Sequence, residues 1–261
     1  MPRRNVHLGQ HFLSNPMILS QIVDLVAQQS GSALVEIGPG KGALTNPLLD
    51  MGYAIEAIEL DLALYDNLQT HHPNLTVMHA DALQCDMHTL QAFQSKSVRL
   101  FGNLPYQISA LLMIKLFHYR SDLKSMTFMV QQEVAERIVA QAGTPHYGRL
   151  SVMVQAWCQA RIVLSVPPDA FNPPPKVMSS VFIARPIDRP ECQALDWGMF
   201  EKVVARAFMH KRKQCYRAFK AQIDPVSWKD LGLKDTARPT ELTVQDYIAL
   251  TKWLCGHERP V

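Results

Sequence analysis

From Ser32 to Val130 the chain alternates short apolar runs with stretches whose apolar residues recur at helical spacing. Ala33–Ile37, Tyr53–Glu59, Leu75–His79, Val98–Phe101 and Met126–Val130 are each of strand length. The chain between them is long enough for crossover helices. Strands that are apolar on both faces belong to a buried parallel sheet, so the pattern predicts a doubly wound α/β fold. Gln132–Gln141 reads as a helix ended by Gly143-Thr144-Pro145, and Leu150–Gln159 as a further helix before the strand-like Arg161–Val166. The tract Pro167–Pro175 contains five prolines. It fits neither helix nor central strand, because proline fixes φ and lacks the amide donor. Val181–Ala184 reads as the last strand.

Beyond Arg185–Pro190 the texture becomes helical, with apolar spacing over Phe200–Ala221 and Val244–Leu254. This predicts two domains, 1–187 being the α/β domain and 188–261 a small α-helical one. The length of 261 residues agrees with a large domain plus a small one. At 48% hydrophobic and 19% charged residues the chain is of globular composition. No uncharged apolar stretch reaches the ~18 residues of a membrane span, and polar residues interrupt any signal-peptide core near the N-terminus. The five cysteines are odd in number, dispersed and without a CxxC pair. That argues against a disulfide framework and a clustered zinc site, so no metal is expected and a reducing cytoplasm is.

Candidate chemistry gathers at the predicted strand ends. Glu36-Ile37-Gly38-Pro39-Gly40-Lys41-Gly42 follows the first strand. Glycines there let the backbone approach a ligand, although the motif taken alone also fits a plain strand-to-helix turn. Glu59 ends the second run, where an acid accepts both hydroxyls of a ribose. Asp81, followed by Ala82, ends the third, where a carboxylate accepts from an adenine amine. Together they indicate an adenosine ligand. Glu36 lies where a pyrophosphate would be repelled, whereas a ligand carrying a sulfonium and an ammonium tolerates it. S-adenosylmethionine meets all three conditions.

The fourth run ends in Asn103-Leu104-Pro105-Tyr106. An exocyclic adenine amine is a weak nucleophile because its lone pair is delocalised into the ring. Acceptors at the Asn103 side chain and the Leu104 carbonyl favour a pyramidal nitrogen. Pro105 fixes the turn, and Tyr106 offers a stacking face worth about 1–3 kcal/mol. Phe171, in the proline-rich tract, either closes the other face of an extruded base or plugs the loop as a core residue.

In order and spacing these segments resemble the bacterial small-subunit (16S) ribosomal RNA adenine N6,N6-dimethyltransferases (the RsmA/KsgA family). The resemblance runs through Gly9-Gln10-His11-Phe12-Leu13, Glu36–Gly40, Leu44-Thr45, Glu59-Leu60-Asp61, Asp81-Ala82, Gly102–Tyr106, Gln131–Arg137, Tyr147–Val152, Phe171–Val177 and Arg238–Leu242. It implies a Rossmann-like methyltransferase domain with a small helical C-terminal domain. It also implies cofactor contacts at His11, Leu13, Gly38, Glu59, Asp81 and Asn103, to which the strand-end reading adds Glu36, Gly40 and Ala82. Asn103 and Leu104 would hold the target amine, and Tyr106 and Phe171 would sandwich the base. The implied reaction is transfer of four methyl groups to two adjacent adenosines in a hairpin near the 3′ end of 16S RNA. Its partner would be the small ribosomal subunit, with no membrane and a monomeric protein. His11 departs from the family's usual Asn, Met178 from its Asp, and Lys211-Arg212-Lys213-Gln214 from its Arg-Arg-Lys-Thr.

Overall charge is nearly balanced, 26 Lys+Arg against 23 Asp+Glu. His210, Lys211, Arg212, Lys213, Arg217 and Lys220 nevertheless cluster on one predicted helix, with 210, 213, 217 and 220 on a shared face. Such a cluster neutralises RNA phosphates. The alternatives are a large-subunit (23S) RNA dimethylase, disfavoured by the full proline-rich loop and Arg238–Leu242, and a subunit-assembly factor that acts mainly by binding.

Overall fold

The computed structural model describes residues 11–72, 75–192 and 194–257. Gly9 and Gln10 of the motif quoted above lie outside the described residues. Among these residues the chain runs β1 (Phe12–Leu13), α1 (Pro16–Ala27), β2 (Ala33–Ile37), α2 (Thr45–Asp50), β3 (Ile55–Glu59), α3 (Leu62–His71), β4 (Thr76–His79), β5 (Val98–Asn103), α4 (Ser109–Leu116) and β6 (Leu123–Gln131). It continues through α5 (Gln132–Val139), α6 (Arg149–Gln155), β7 (Cys158–Val166), β8 (Phe171–Asn172), β9 (Ser179–Pro186), α7 (Trp197–Phe208), α8 (Tyr216–Phe219), α9 (Pro225–Asp230) and α10 (Val244–Gly256).

Seven strands form one sheet in the order β4-β3-β2-β5-β6-β9-β7. The five from β4 to β6 are parallel, as the apolar runs predict. Beyond them β9 runs antiparallel to β6, so the sheet is mixed. The order reverses between β2 and β5. In doubly wound sheets the crevice at such a switch point, outside the carboxyl ends of the strands, is where ligands bind. A separate two-stranded ladder pairs β1 with β8, setting Phe12 opposite Asn172 and Leu13 opposite Phe171.

Local chemistry fixes the strand exits. Asn15 caps α1, its side chain accepting from the amides of Met17 and Ile18, with Pro16 at the first helical position where no donor is lost. Asp61 caps α3 in the same way, accepting from Ala63 and Leu64 immediately after β3 ends.

The residues group into two compact units, one of residues up to Ala135 with Ala160–Pro186, the other of Glu136–Gln159 with the residues from Ile187 on. A single cut after residue 187 therefore does not describe the chain. Segment 136–159 belongs with the C-terminal helices because its apolar residues share their core. Val152 and Met153 of α6 pack in one cluster with Phe200, Val203, Tyr247 and Leu250, and Arg149 pairs with Glu201 at 3.0 Å. The other unit has its own core, including Ile22, Leu34, Leu48, Phe101 and Val181.

The basic cluster also departs from the expected single helix. The helix expected over Phe200–Ala221 ends at Phe208, and His210–Lys213 form a turn before the short α8. Phe200, Val203, Val204 and Ala207 make the buried stripe of α7. The next positions of that stripe are His210, Lys211 and Gln214, which offer nothing to bury. The chain instead turns, with the Lys213 amide donating to the His210 carbonyl and the amide of buried Cys215 to Ala237. His210 and the five Lys and Arg residues are all exposed, but they are divided between the turn and the short α8 with its end, and do not share one helical face.

One glycine sets the closeness of β2 and β5. A Cβ on Gly102, whose φ is +153°, would lie 2.3 Å from the carbonyl oxygen of Ile37. Gly102→Ala is expected to cost about 3 kcal/mol, a fall of roughly 5–10 °C in melting temperature. Gly52→Ala, at φ +87° with nothing within 4 Å of the added carbon, is expected to cost only about 1 kcal/mol. Thermal melts of the two variants check the difference, and equal losses would contradict it.

Candidate active site

A cavity of about 360 Å³ opens at the carboxyl ends of the parallel strands. His11, Leu13, Glu36, Gly38, Gly40, Glu59, Asp81, Ala82 and Asn103 all line it, as do Leu104, Pro105 and Tyr106. Residues from four strand ends and the N-terminal segment thus meet in one place because β2, β3, β4 and β5 are parallel neighbours.

Glu36, the penultimate residue of β2, is almost wholly buried at 1% exposure. Its Oε2 accepts a 2.5 Å hydrogen bond from the Thr45 hydroxyl. Burial pushes its carboxyl up from 4.5 to about 8, Thr45 opposes this, and the nearby Glu59 charge adds to it. Glu59, at the end of β3, accepts from the amide of Gly40 at 3.0 Å and from that of Asp61 at 2.9 Å. Burial raises its carboxyl too, while these donors pull the other way. The first bond requires the glycine loop to fold back over β3, and Gly40 does so with a φ of +60° that suits glycine. A Cβ there would also press to 3.3 Å on the Phe12 ring. Asp81, just after β4, accepts from the Leu83 amide at 2.8 Å and the Gln84 side chain at 3.0 Å.

On the β5 side, Nδ2 of Asn103 donates to the carbonyl of His11 at 3.0 Å. A carbonyl only accepts, so the amide nitrogen faces His11 and Oδ1 is the end left to accept from another group. The Leu104 amide donates to Met129 of β6 at 3.0 Å, tying the turn to the sheet. Tyr106 is half-buried. Its hydroxyl shares a 2.8 Å hydrogen bond with that of Ser179, and its ring lies 5.8 Å from the His11 ring. His11 Nδ1 in turn donates to the carbonyl of Pro173 at 2.7 Å.

Phe171 is the exception among the sequence-predicted residues. It is 4% exposed and packs in the core with Leu13, Ile22 and Leu44. Its place on the cavity wall is taken by the adjacent Asn172. Alternation along β8 explains this: pairing with buried Leu13 turns Phe171 inward and Asn172 outward. Of the two roles open to Phe171, its burial and packing match the plug. Sequence reasoning also passed over Phe12, Leu60 and Gln107, which line the cavity. Each directly neighbours a residue it did select, and 46% exposure of an apolar side chain at Leu60 marks a wall suited to a planar group.

The family described as Ribosomal RNA adenine dimethylase matches residues 1–255 of this chain. A protein of Vibrio parahaemolyticus named Ribosomal RNA small subunit methyltransferase A is 39% identical, over 98% of each chain. Its namesake in Vibrio cholerae is 40% identical, over 97% of each. Among solved structures, a dimethyladenosine transferase from Plasmodium falciparum superposes with a TM-score of 0.79 at 25% identity, covering 95% of this chain and 98% of that one. The 23S rRNA methyltransferase ErmE shares the fold at TM-score 0.70 and 20% identity, covering 94% and 99%. With a family match over nearly its whole length, the chain belongs to the ribosomal RNA adenine dimethylases, S-adenosylmethionine-dependent enzymes that dimethylate adenine in ribosomal RNA.

Proposed function

We propose that this enzyme transfers four methyl groups to two adjacent adenosines in a hairpin near the 3′ end of 16S RNA, within the small subunit during its biogenesis. The observation that carries the reading is the orientation of Asn103. With Nδ2 committed to the His11 carbonyl, Oδ1 is held as an acceptor at the cavity. The 39–40% identity to small-subunit enzymes over nearly full length supports the choice of RNA.

The residues present fit S-adenosylmethionine. The glycine loop leaves room for a nucleoside, and Glu59 has lone pairs beyond those used by Gly40 and Asp61 for two ribose hydroxyls. Asp81 and Leu60 flank the space an adenine would take. A buried carboxyl at Glu36 suits a ligand that is cationic and opposes one led by phosphates. When bound, the cofactor supplies an electrophilic methyl group.

The target amine is held by the Asn103 oxygen and the Leu104 carbonyl, which accept its hydrogens and turn its lone pair out of conjugation. Tyr106 stacks on the extruded base and fixes its plane. No strong base is needed, because the nitrogen becomes acidic once alkylated and releases its proton afterwards. The gain in rate comes from alignment and fixed dipoles. Lys211, Arg212, Lys213, Arg217 and Lys220 bind RNA phosphates through their charge, with His210 beside them; all six are exposed, on the turn after α7 and along the short α8 and its end.

With labelled S-adenosylmethionine and unmethylated small subunits, label should map to two adjacent adenosines near the 3′ end. Asn103→Ala should lower the rate by at least about 10²-fold. Label on large-subunit RNA alone, or binding without label, would overturn the proposal. Glu36 gives a second expectation. Its carboxyl is protonated in the free protein below about 8, and a cationic ligand favours the ionised form. S-adenosylmethionine affinity should therefore strengthen as pH rises towards about 8 and level above it. By the same shift, Glu36 stabilises the free fold at low pH, and this contribution fades between 4.5 and about 8. Glu36→Gln should flatten both profiles, as read by calorimetric titration and thermal melts. Unchanged profiles would contradict the assignment.

A further inference from the structure

We propose that Ser179 is a positioning residue for the reaction, its hydroxyl holding the phenol of Tyr106 so that the ring stands as a fixed face for the target base. The inference rests on the reading of Tyr106 as the stacking residue.

The two partners differ in how firmly their backbones are held. Ser179 is the first residue of β9, opposite Gln131 of β6 in the sheet, and is 0% exposed. Tyr106 sits in the turn between β5 and α4, half-buried and outside regular structure. The 2.8 Å bond between the hydroxyls therefore ties a side chain on a turn to a rigid strand. At its side the ring meets the His11 imidazole, tilted by 30°. His11 is itself anchored through Nδ1 on Pro173, and its carbonyl receives the Asn103 amide. The ring that faces the base and the amide that faces its nitrogen thus share one frame.

Stacking alone does not call for a hydroxyl, since phenylalanine offers the same face. A hydroxyl on the ring and one in a buried strand position are accounted for together if their bond sets the ring's angle. Burial raises the phenol above its ordinary range, so it stays protonated and able to share the bond at neutral pH. A ring that tilts carries the base with it and moves the amine away from Asn103. Near-attack geometry is sensitive to shifts of ~1 Å, so the loss falls on the chemical step and spares cofactor binding. Met178 is exposed beside Ser179 and takes no part in the bond.

The test is a double-mutant cycle on the full chain. Single-turnover methylation of unmethylated small subunits is measured at saturating S-adenosylmethionine, with cofactor Kd and melting temperature read in parallel. Ser179→Ala and Tyr106→Phe are each expected to slow the step by roughly 10-fold or more. The double variant should be no slower than either single one, because both remove the same bond. Cofactor Kd should stay unchanged throughout. Tyr106→Phe removes only one oxygen from a half-exposed side chain, so it serves even if Ser179→Ala perturbs folding. Multiplying losses in the double variant, or full rate in both single variants, would overturn the role of Ser179. If Tyr106→Ala is then slow, the stacking reading survives without it. A wild-type rate for Tyr106→Ala would overturn the stacking reading itself.

Discussion

The hydrogen bond from Asn103 to the His11 carbonyl links the two segments on which the site depends. Asn103 closes the central strand β5, and His11 leads into β1, a strand of two residues. Without that bond an asparagine amide presents donor and acceptor ends equally, and under the proposed mechanism a target amine would meet the wrong one half the time. The β1–β8 ladder keeps His11 in place, and the core beneath it, with Leu13 and Phe171 buried side by side, keeps the ladder in place. Phe171 therefore supports the site through packing without itself lining the cavity.

Opposite this frame the electrostatics are those of a cation site. Two carboxyls, Glu36 and Glu59, lie buried at neighbouring strand ends, and both are raised mainly by burial. Hydrogen bonds from Thr45, Gly40 and Asp61 offset part of that cost. A positive ligand offsets more of it, a differential interaction that favours a charged methyl donor over its neutral relatives. Gly102 allows β2 and β5 to approach closely enough for these groups and Asn103 to share one cavity.

The parallel strands were legible because burial on both faces leaves continuous apolar runs, as in Ala33–Ile37, whose bounds the structure reproduces. Their polar terminators Glu59, Asp81 and Asn103 were legible for the same reason, being breaks in those runs. Features that depend on distant partners were not. The two-residue strands β1 and β8 carry no period, and nothing in Ser179 signals the phenol it meets. For Phe171 the sequence leaves stacking face and core plug both open, because its inward turn follows only from pairing with Leu13. Likewise α6 reads as any apolar helix. Its membership of the C-terminal unit follows from packing on Phe200, Val203 and Tyr247. Apolar spacing at helical period does not mark Phe208 as an end; α7 stops there because the buried stripe runs out.

The most direct test of the central claim is the single-turnover methylation rate of Asn103→Asp with unmethylated small subunits at neutral pH. Aspartate keeps an oxygen to accept from the target amine but sets a second acceptor against the His11 carbonyl. If the amide's donor end is what orients the site, the rate at saturating cofactor should fall by about 10²-fold or more. A rate close to that of the unaltered protein would show that the acceptor alone suffices, and that the bond to His11 does not organise the active site.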